Sequence, residues 1–259
     1  MIRRIPAALV VAAATALFAV GGALPAGSTP RGPLRVAVSL PAPGFWDGRR
    51  ASAGGFEAEL ARALADRLGY DGVRVVDTPF PDIVRGRFDA DLALSEVTIT
   101  PERERVVDFT GPYLAVDQVA VTTAATAQAA SGRPAGLRWG VVRSTTGADV
   151  VRSRVRPTAP ATEFATETEA FAALRSGAVD AVMIDGPIAA RVVADSGGAL
   201  ATVGTVPTGE EYGGVLPEGS RLRRRVTSAL AALVADGTVA RLERAAKFPD
   251  HTTAPAFIT

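Results

Sequence analysis

FDADLALSEVTITPERERVVDFTGPY, residues 88–113, carries a strand signal and a helix-start signal in close succession, and the way the two join decides the fold. Ala90 to Leu94 is a short, mostly apolar run that reads as a buried strand. Thr100-Pro101-Glu102-Arg103 then reads as a helix start, with threonine at the cap, proline at the first helical position and an acid in the first turn. A strand that leads directly into a helix start is a unit of α/β architecture.

The same alternation extends in both directions. Upstream, Leu34 to Leu40 reads as a buried strand bounded by Pro41, Pro43 and Gly44. Phe56, Leu60, Leu64 and Leu68 then recur at helical spacing, with Gly69 at the expected stop. Val73 to Val76 reads as a strand and Pro81 to Gly86 as a short helix. Downstream, Leu137 to Val142 is a strand and Gly147 to Val155 a helix. Thr166 to Ser176 is a helix with the capping pair Thr166/Glu169 and a terminal Gly177. Ala178 to Ile184 is another buried strand, Pro187 to Val193 a helix, and Leu222 to Ala246 two closing helices separated at Asp236-Gly237. The Ala/Thr/Ser-rich stretch Thr122 to Gly136 reads as a surface connection between two halves. Alternating strands and helices predict parallel pairing, and two α/β halves predict two lobes with a ligand cleft between them.

Composition narrows the function. The 259 residues are 47% hydrophobic, enough for a real core. Arg3 and Arg4 precede an apolar run from Ile5 to Leu24 and a small-residue segment to Ser28, the layout of a secretory signal over residues 1–28. Left uncleaved, about twenty apolar residues are long enough to anchor the chain in a bilayer. Without Arg3 and Arg4 the chain has 26 basic against 27 acidic residues, so nothing marks it for nucleic acid. There is no cysteine, and the only histidine, His251, sits in the polar tail 249–259. A Ser/His/Asp triad, a zinc site and thiolate chemistry are therefore not expected, and no metal or cofactor is.

Three places gather polar groups where strands end. After Ala90–Leu94, a helix start offers free N–H groups to an anion, Arg103 offers a bidentate grip on a carboxylate, and Ser95 and Thr98 offer hydroxyls. The same residues also read as a capped helix with a solvated arginine. After Ala178–Ile184 comes Asp185, a cleft carboxylate or the cap of the helix at Pro187. After Val142 comes Ser144-Thr145-Thr146-Gly147, an anion-binding turn or a hydroxyl-rich cap. Together they complement the carboxylate and ammonium of a free amino acid.

GGFEAELARALADRLG, FDADLALSEVTITPERERVVDFTGPY, GVVRSTTGADVV, LRSGAVDAVMIDGP and the closing EYGGVLPEGSRLRRRVTSALAALVADGTVARL, in this order, resemble the family 3 extracellular solute-binding proteins, the amino-acid receptors of ABC importers. The resemblance spans about Leu34 to Phe248. It implies a two-lobe type II binding-protein fold, with lobe 1 at 33–116 plus 207–248, lobe 2 at 117–206, and two crossovers as a hinge. It further implies an exported monomer, not an enzyme, that hands an amino acid to permease subunits. On family positions Arg103 would hold the α-carboxylate, Thr98 and Asp185 the ammonium, and Thr146 with Ser144 and Thr145 would close on the carboxylate from lobe 2. Ser95 and Glu96 would line the same wall, and Phe45 or Trp46 would lie over the ligand's side chain unless both are core. The chain departs from the family at Ser39, Glu57 and Glu96; Glu96 would favour a cationic ligand unless it faces solvent, and Glu57 is expected to matter little. Arg143 pulls the other way, toward a side-chain carboxylate, and an acidic or amide amino acid is the first expectation. Two alternatives remain: a secreted cyclohexadienyl-dehydratase-like enzyme with Glu96 as general acid, and a membrane-anchored sensory domain.

Overall fold

The computed structural model describes residues 32–246 and 248; the signal-like segment 1–28 and the tail 249–259 lie outside them. The chain opens with β1 (Leu34–Val38), whose LRVAV is buried at four of five positions. A loop carrying Phe45 and Trp46 leads to α1 (Phe56–Leu68), which buries Phe56, Leu60 and Leu64 on one face and stops at Gly69 in the left-handed conformation. Next come β2 (Val73–Asp77), the single turn α2 (Phe80–Ile83) and β3, only Leu92–Ala93.

The 17-residue β4 (Val107–Thr123) then crosses to the second half. There lie α3 (Ala127–Ser131), β5 (Trp139–Val142), and α4 (Thr146–Val150), which runs on as one π-helical turn, Val151–Val155. They are followed by β6 (Thr162–Phe164), α5 (Glu167–Ser176), β7 (Ala181–Asp185) and α6 (Gly186–Ala194). The 18-residue β8 (Leu200–Pro217) returns, and α7 (Arg223–Ala235) and α8 (Thr238–Ala246) pack back on α1.

The strand order is β2-β1-β3-β8-β4-β7-β5-β6. The outer strands pair in parallel, as an α/β chain requires, but the centre does not: β4 runs antiparallel to both β8 and β7, and β3 meets β8 antiparallel. The sheet is mixed, which corrects the expectation of parallel pairing throughout. The correction has a simple origin, because β4 and β8 are the two long crossings and a chain that leaves and returns lays them in opposite directions. One end of the pair joins the first half, Ala93 opposite Val215, and the other joins the second, Val119 opposite Ile184. The ladder slips between Val116 and Gln118, where Asp117 Oδ1 takes the backbone N–H groups of Thr208 and Gly209 at 2.8 and 3.0 Å. The result is a two-lobe type II binding-protein fold, its cleft over the crossing strands.

Candidate ligand-binding site

Arg103 lies where the sequence predicts a helix start, yet the backbone forms only one 3₁₀ turn, Arg103–Arg105, with Thr100 Oγ1 accepting from the Arg103 N–H at 3.2 Å. So short a turn has little macrodipole, and the side chain carries the positive charge. Arg103 is 9% exposed. Its Nη1 donates to the Thr98 carbonyl at 2.6 Å, its Nη2 donates to the Ser144 carbonyl at 3.0 Å, and it lies 5.5 Å from the Phe80 ring centroid. Among the described residues no carboxylate lies within 4 Å of it. A buried guanidinium that meets only carbonyls and a ring keeps an uncompensated charge. Burial therefore lowers its pKa, opposed by the charges of Asp185 and Glu210.

Asp185 ends β7 and is 8% exposed. It stands at the cap position of α6 without capping it. Its carboxylate accepts from Gln118 Nε2 at 2.5 Å and from the Tyr212 hydroxyl. Burial pushes its pKa up to about 6, with Glu210's charge adding to the rise and the Tyr212 and Gln118 hydrogen bonds and Arg103's charge opposing it.

A cavity of about 80 Å³ lies between these groups, lined by Ser95, Glu96, Thr98 and Arg103 on one side and Thr145, Thr146 and Asp185 on the other. Ser95 Oγ accepts from the Ser39 N–H at 2.9 Å. Thr145 caps α4, accepting from Ala148 N at 3.3 Å and donating to the Val142 carbonyl at 2.7 Å. Thr98 and Thr146 both donate to Glu210 Oε2, at 3.0 and 2.6 Å, and Gln118 Nε2 reaches the same oxygen at 3.3 Å.

Glu96 takes a left-handed backbone, φ 56°, uncommon for a residue with a side chain, and donates its N–H to Glu57 at 2.8 Å. Glu96 lines the cavity, and Glu167, the first residue of α5, lines it too. Burial and then the charge of Glu167 raise Glu96's pKa well above the ordinary carboxylate value. Burial, helped by Asp185, pushes Glu167 up to about 8.

Four expectations need correction. Arg143 is exposed and lies off the cavity wall; only its backbone is engaged, its N–H meeting the Phe164 carbonyl at 3.0 Å. Ser144, at φ 65°, contributes its carbonyl to Arg103 while its side chain stays outside the lining. Phe45 is core, stacked on Phe248 at 4.8 Å and edge-on to Phe56 and Tyr212. Trp46 is core too, its indole N–H shared between Glu57 Oε2 at 3.0 Å and the Leu94 carbonyl at 3.1 Å.

Glu57 matters more than expected. It is fully buried and also takes the Tyr113 hydroxyl, so one carboxylate fixes the Trp46 loop, the Glu96 turn and β4. Burial raises its pKa to about 7 against these hydrogen bonds. Residue reading also missed Glu167, Glu210, Gln118 and Tyr212. The available signal was polar side chains inside otherwise apolar strands, at Gln118 in DQVAV and Glu210 in GEEYGGV.

The model of the bacterial extracellular solute-binding proteins, family 3, matches residues 34–246. The chain belongs to this family. Among its relatives is the L-cystine-binding protein TcyJ of Escherichia coli, 28% identical over 223 residues that cover 82% of this chain and 81% of TcyJ. The solved structure of the ancestral amino acid-binding protein AncCDT-1, a precursor of cyclohexadienyl dehydratase, superposes with a TM-score of 0.72 at 28% identity, covering 84% of this chain and 96% of that one. An ancestral arginine-binding protein bound to glutamine superposes with a TM-score of 0.71 at 29% identity, covering 83% and 98%; one bound to arginine gives 0.70 at 28% over the same shares. Among the described residues no helix is long and apolar enough to cross a membrane, and no group of three or more His, Cys, Asp or Glu is arranged to hold a metal.

Proposed function

We propose that this protein is an extracytoplasmic receptor that closes on a free amino acid and delivers it to the permease of an ABC importer. The observation that carries the reading is the pairing of Arg103, a buried guanidinium with no carboxylate partner among the described residues, with the buried carboxylate of Asp185 across the same cavity. The first would take the ligand's α-carboxylate and the second, with Thr98, its ammonium. Thr145 and Thr146 close the pocket from the other side. The lobes are 33–116 plus 207–248 and 117–206, with the hinge at the ladder slip in β4 and β8.

The expected acidic or amide side chain rested on Arg143, which is off the cavity wall. Glu96 and Glu167 line it instead, and two carboxylates there favour a side chain with a positive charge. The arginine- and cystine-binding names among the relatives agree with that choice, since both ligands carry a distal cation. Isothermal titration of the purified protein with arginine, lysine, glutamine and glutamate tests it. Arginine or lysine should bind at least tenfold tighter than glutamine, and Glu96→Gln should remove that preference. Tightest binding of glutamate or glutamine restores the acidic or amide assignment.

One observation favours a second reading. A cleft carboxyl whose pKa burial raises well above the ordinary value, as at Glu96, suits a general acid, and AncCDT-1 is a precursor of a dehydratase. Turnover of prephenate or arogenate that Glu96→Gln abolishes would support an enzyme, and no turnover removes it.

A further inference from the structure

The hydroxyl hydrogens of the two threonines nearest Asp185 point away from the cavity. Thr98 and Thr146 line it, Glu210 of β8 does not, and Glu210 Oε2 takes both hydroxyls from behind the wall, at 3.0 and 2.6 Å. A carboxylate oxygen only accepts, so each threonine directs its one hydrogen there and keeps lone pairs for the cavity. Gln118 fixes the sense of the arrangement. Its Nε2 donates to Asp185 Oδ1 at 2.5 Å and reaches Glu210 Oε2 at 3.3 Å, and the reversed amide would set an oxygen against two carboxylates. Gly147 leaves the amide its seat, since a Cβ there would come within 2.9 Å of Gln118 Oε1. The same Nε2 lies 3.2 Å from Thr146 Oγ1, and it engages at most one of that hydroxyl's two lone pairs. Thr145 has no hydrogen for the cavity either, because its hydroxyl donates to the Val142 carbonyl at 2.7 Å.

An ammonium group brings N–H donors and no acceptor, so it is matched by a pole made of acceptors alone. Asp185, Thr98 Oγ1 and Thr146 Oγ1 form such a pole, gathered by their shared contacts with Gln118 and Glu210. We propose that Glu210 is a positioning residue for ligand selection: by drawing the Thr98 and Thr146 hydrogens out of the cavity, it makes both hydroxyls acceptors and reserves this pole for a protonated amine. The inference rests on the amino-acid reading and deepens it. It also assigns Thr146 to the ammonium, whereas the sequence resemblance gives it to the carboxylate, which here falls to Arg103. An α-hydroxy acid with the same side chain is rejected by the same device, because its hydroxyl has one hydrogen to offer the three acceptors and turns its lone pairs toward theirs.

Arginine, lysine, glutamine and glutamate, each with its α-hydroxy acid, test this by titration calorimetry on the purified protein, the hydroxy acids being read by displacement of the amino acid. The quantity that decides is the ratio of the two affinities for the pair whose amino acid binds tightest. Glu210→Ala frees the threonines to turn their hydrogens inward, and the ratio should fall about tenfold or more, the worth of a hydrogen bond to a charged group. Thr146→Val should lower it in the same direction, and Glu210→Gln, which keeps an acceptor oxygen, should restore most of it. A loss of lobe closure weakens both members of a pair by the same factor. An unchanged ratio in Glu210→Ala or Thr146→Val, or a Glu210→Gln ratio as low as that of Glu210→Ala, therefore overturns this inference while leaving the receptor reading intact. No heat with any of the amino acids in the unaltered protein overturns both.

Discussion

Glu210 accepts a hydrogen bond from the Thr146 hydroxyl at 2.6 Å, and the same oxygen takes the Thr98 hydroxyl at 3.0 Å. One carboxylate on a crossing strand thus holds a side chain from each wall of the cleft, with Gln118 of the other crossing strand at 3.3 Å. Arg103 to the Ser144 carbonyl is a second tie across the gap. Glu210→Ala should remove the shared acceptor and favour the open form. Hydrogen bonds to a charged group are worth roughly 1.5–3 kcal/mol each, so affinity for the best amino acid should fall about tenfold or more. Small-angle scattering of the ligand-free variant should show a larger radius of gyration; an unchanged radius and affinity would mean that Glu210 has no part in closure.

Arg103→Ala and Asp185→Asn address the two poles directly. Each removes the charge partner of a ligand group taken out of water, a loss of roughly 2 to 5 kcal/mol in binding. Titration calorimetry measures it, and thermal melts of the ligand-free variants separate lost binding from lost fold. Full affinity in both variants would sink the assignment of these poles.

How much of this was legible follows from where the residues sit. α1 and α5 could be read because each announces both ends: a helical apolar stripe and Gly69 for one, Thr166 accepting from Glu169 N at 3.2 Å and Gly177 for the other. Arg103 and Asp185 could be singled out because they follow short apolar strands, where open α/β sheets hold ligands. β4 and β8 could not be read. A strand that crosses between lobes changes the face it buries, and Gly111-Pro112, Asp117 and Pro207 break the alternation that marks a strand, as the register slips record. Glu210 and Gln118 were lost with them. Glu167 was hidden as the ordinary acid after a helix cap, and only the folded cleft brings it to the cavity that Glu96 lines.

Glu57 should be a stability residue. Glu57→Ala leaves the Tyr113 hydroxyl and the Glu96 N–H without their acceptor in a closed core, a cost of roughly 2 to 6 kcal/mol at about 1–3 for each unsatisfied group. Glu57→Gln keeps an acceptor oxygen and should cost less. Denaturant unfolding measures both, and equal, small losses would contradict the role.

Stability of the ligand-free protein should fall as pH rises from 5 to 8. Glu57 and Asp185 ionise near 7 and 6 in the fold, above their ordinary values of 4.5 and 3.8. A raised carboxyl pKa means the folded chain keeps a proton that the unfolded chain has released. The contribution is therefore complete below the unfolded value and lost as pH climbs through the folded one, at about 1.4 kcal/mol for each pH unit that separates the two values. Asp89, Asp180 and Asp236, whose pKa values are lowered, titrate below this window and do not mask it. Guanidinium midpoints at pH 5, 6, 7 and 8 should decline in that order, and less steeply in Glu57→Gln.

Binding should respond to pH with the opposite sign. A cationic side chain between Glu96 and Glu167 needs them ionised, yet burial and neighbouring carboxylates raise both pKa values in the empty cleft, Glu167 to about 8. Ligand entry must therefore expel protons, and affinity should rise as pH goes from 6 to 8.5. Calorimetry in two buffers of different ionisation enthalpy counts the protons released at pH 7, and the expected number lies between about one half and two. Glu167→Gln should lower that number and flatten the pH profile. Zero release in the native protein, or affinity that falls with pH, would mean that the ligand's side chain meets neutral groups and that the carboxylate wall does not select it.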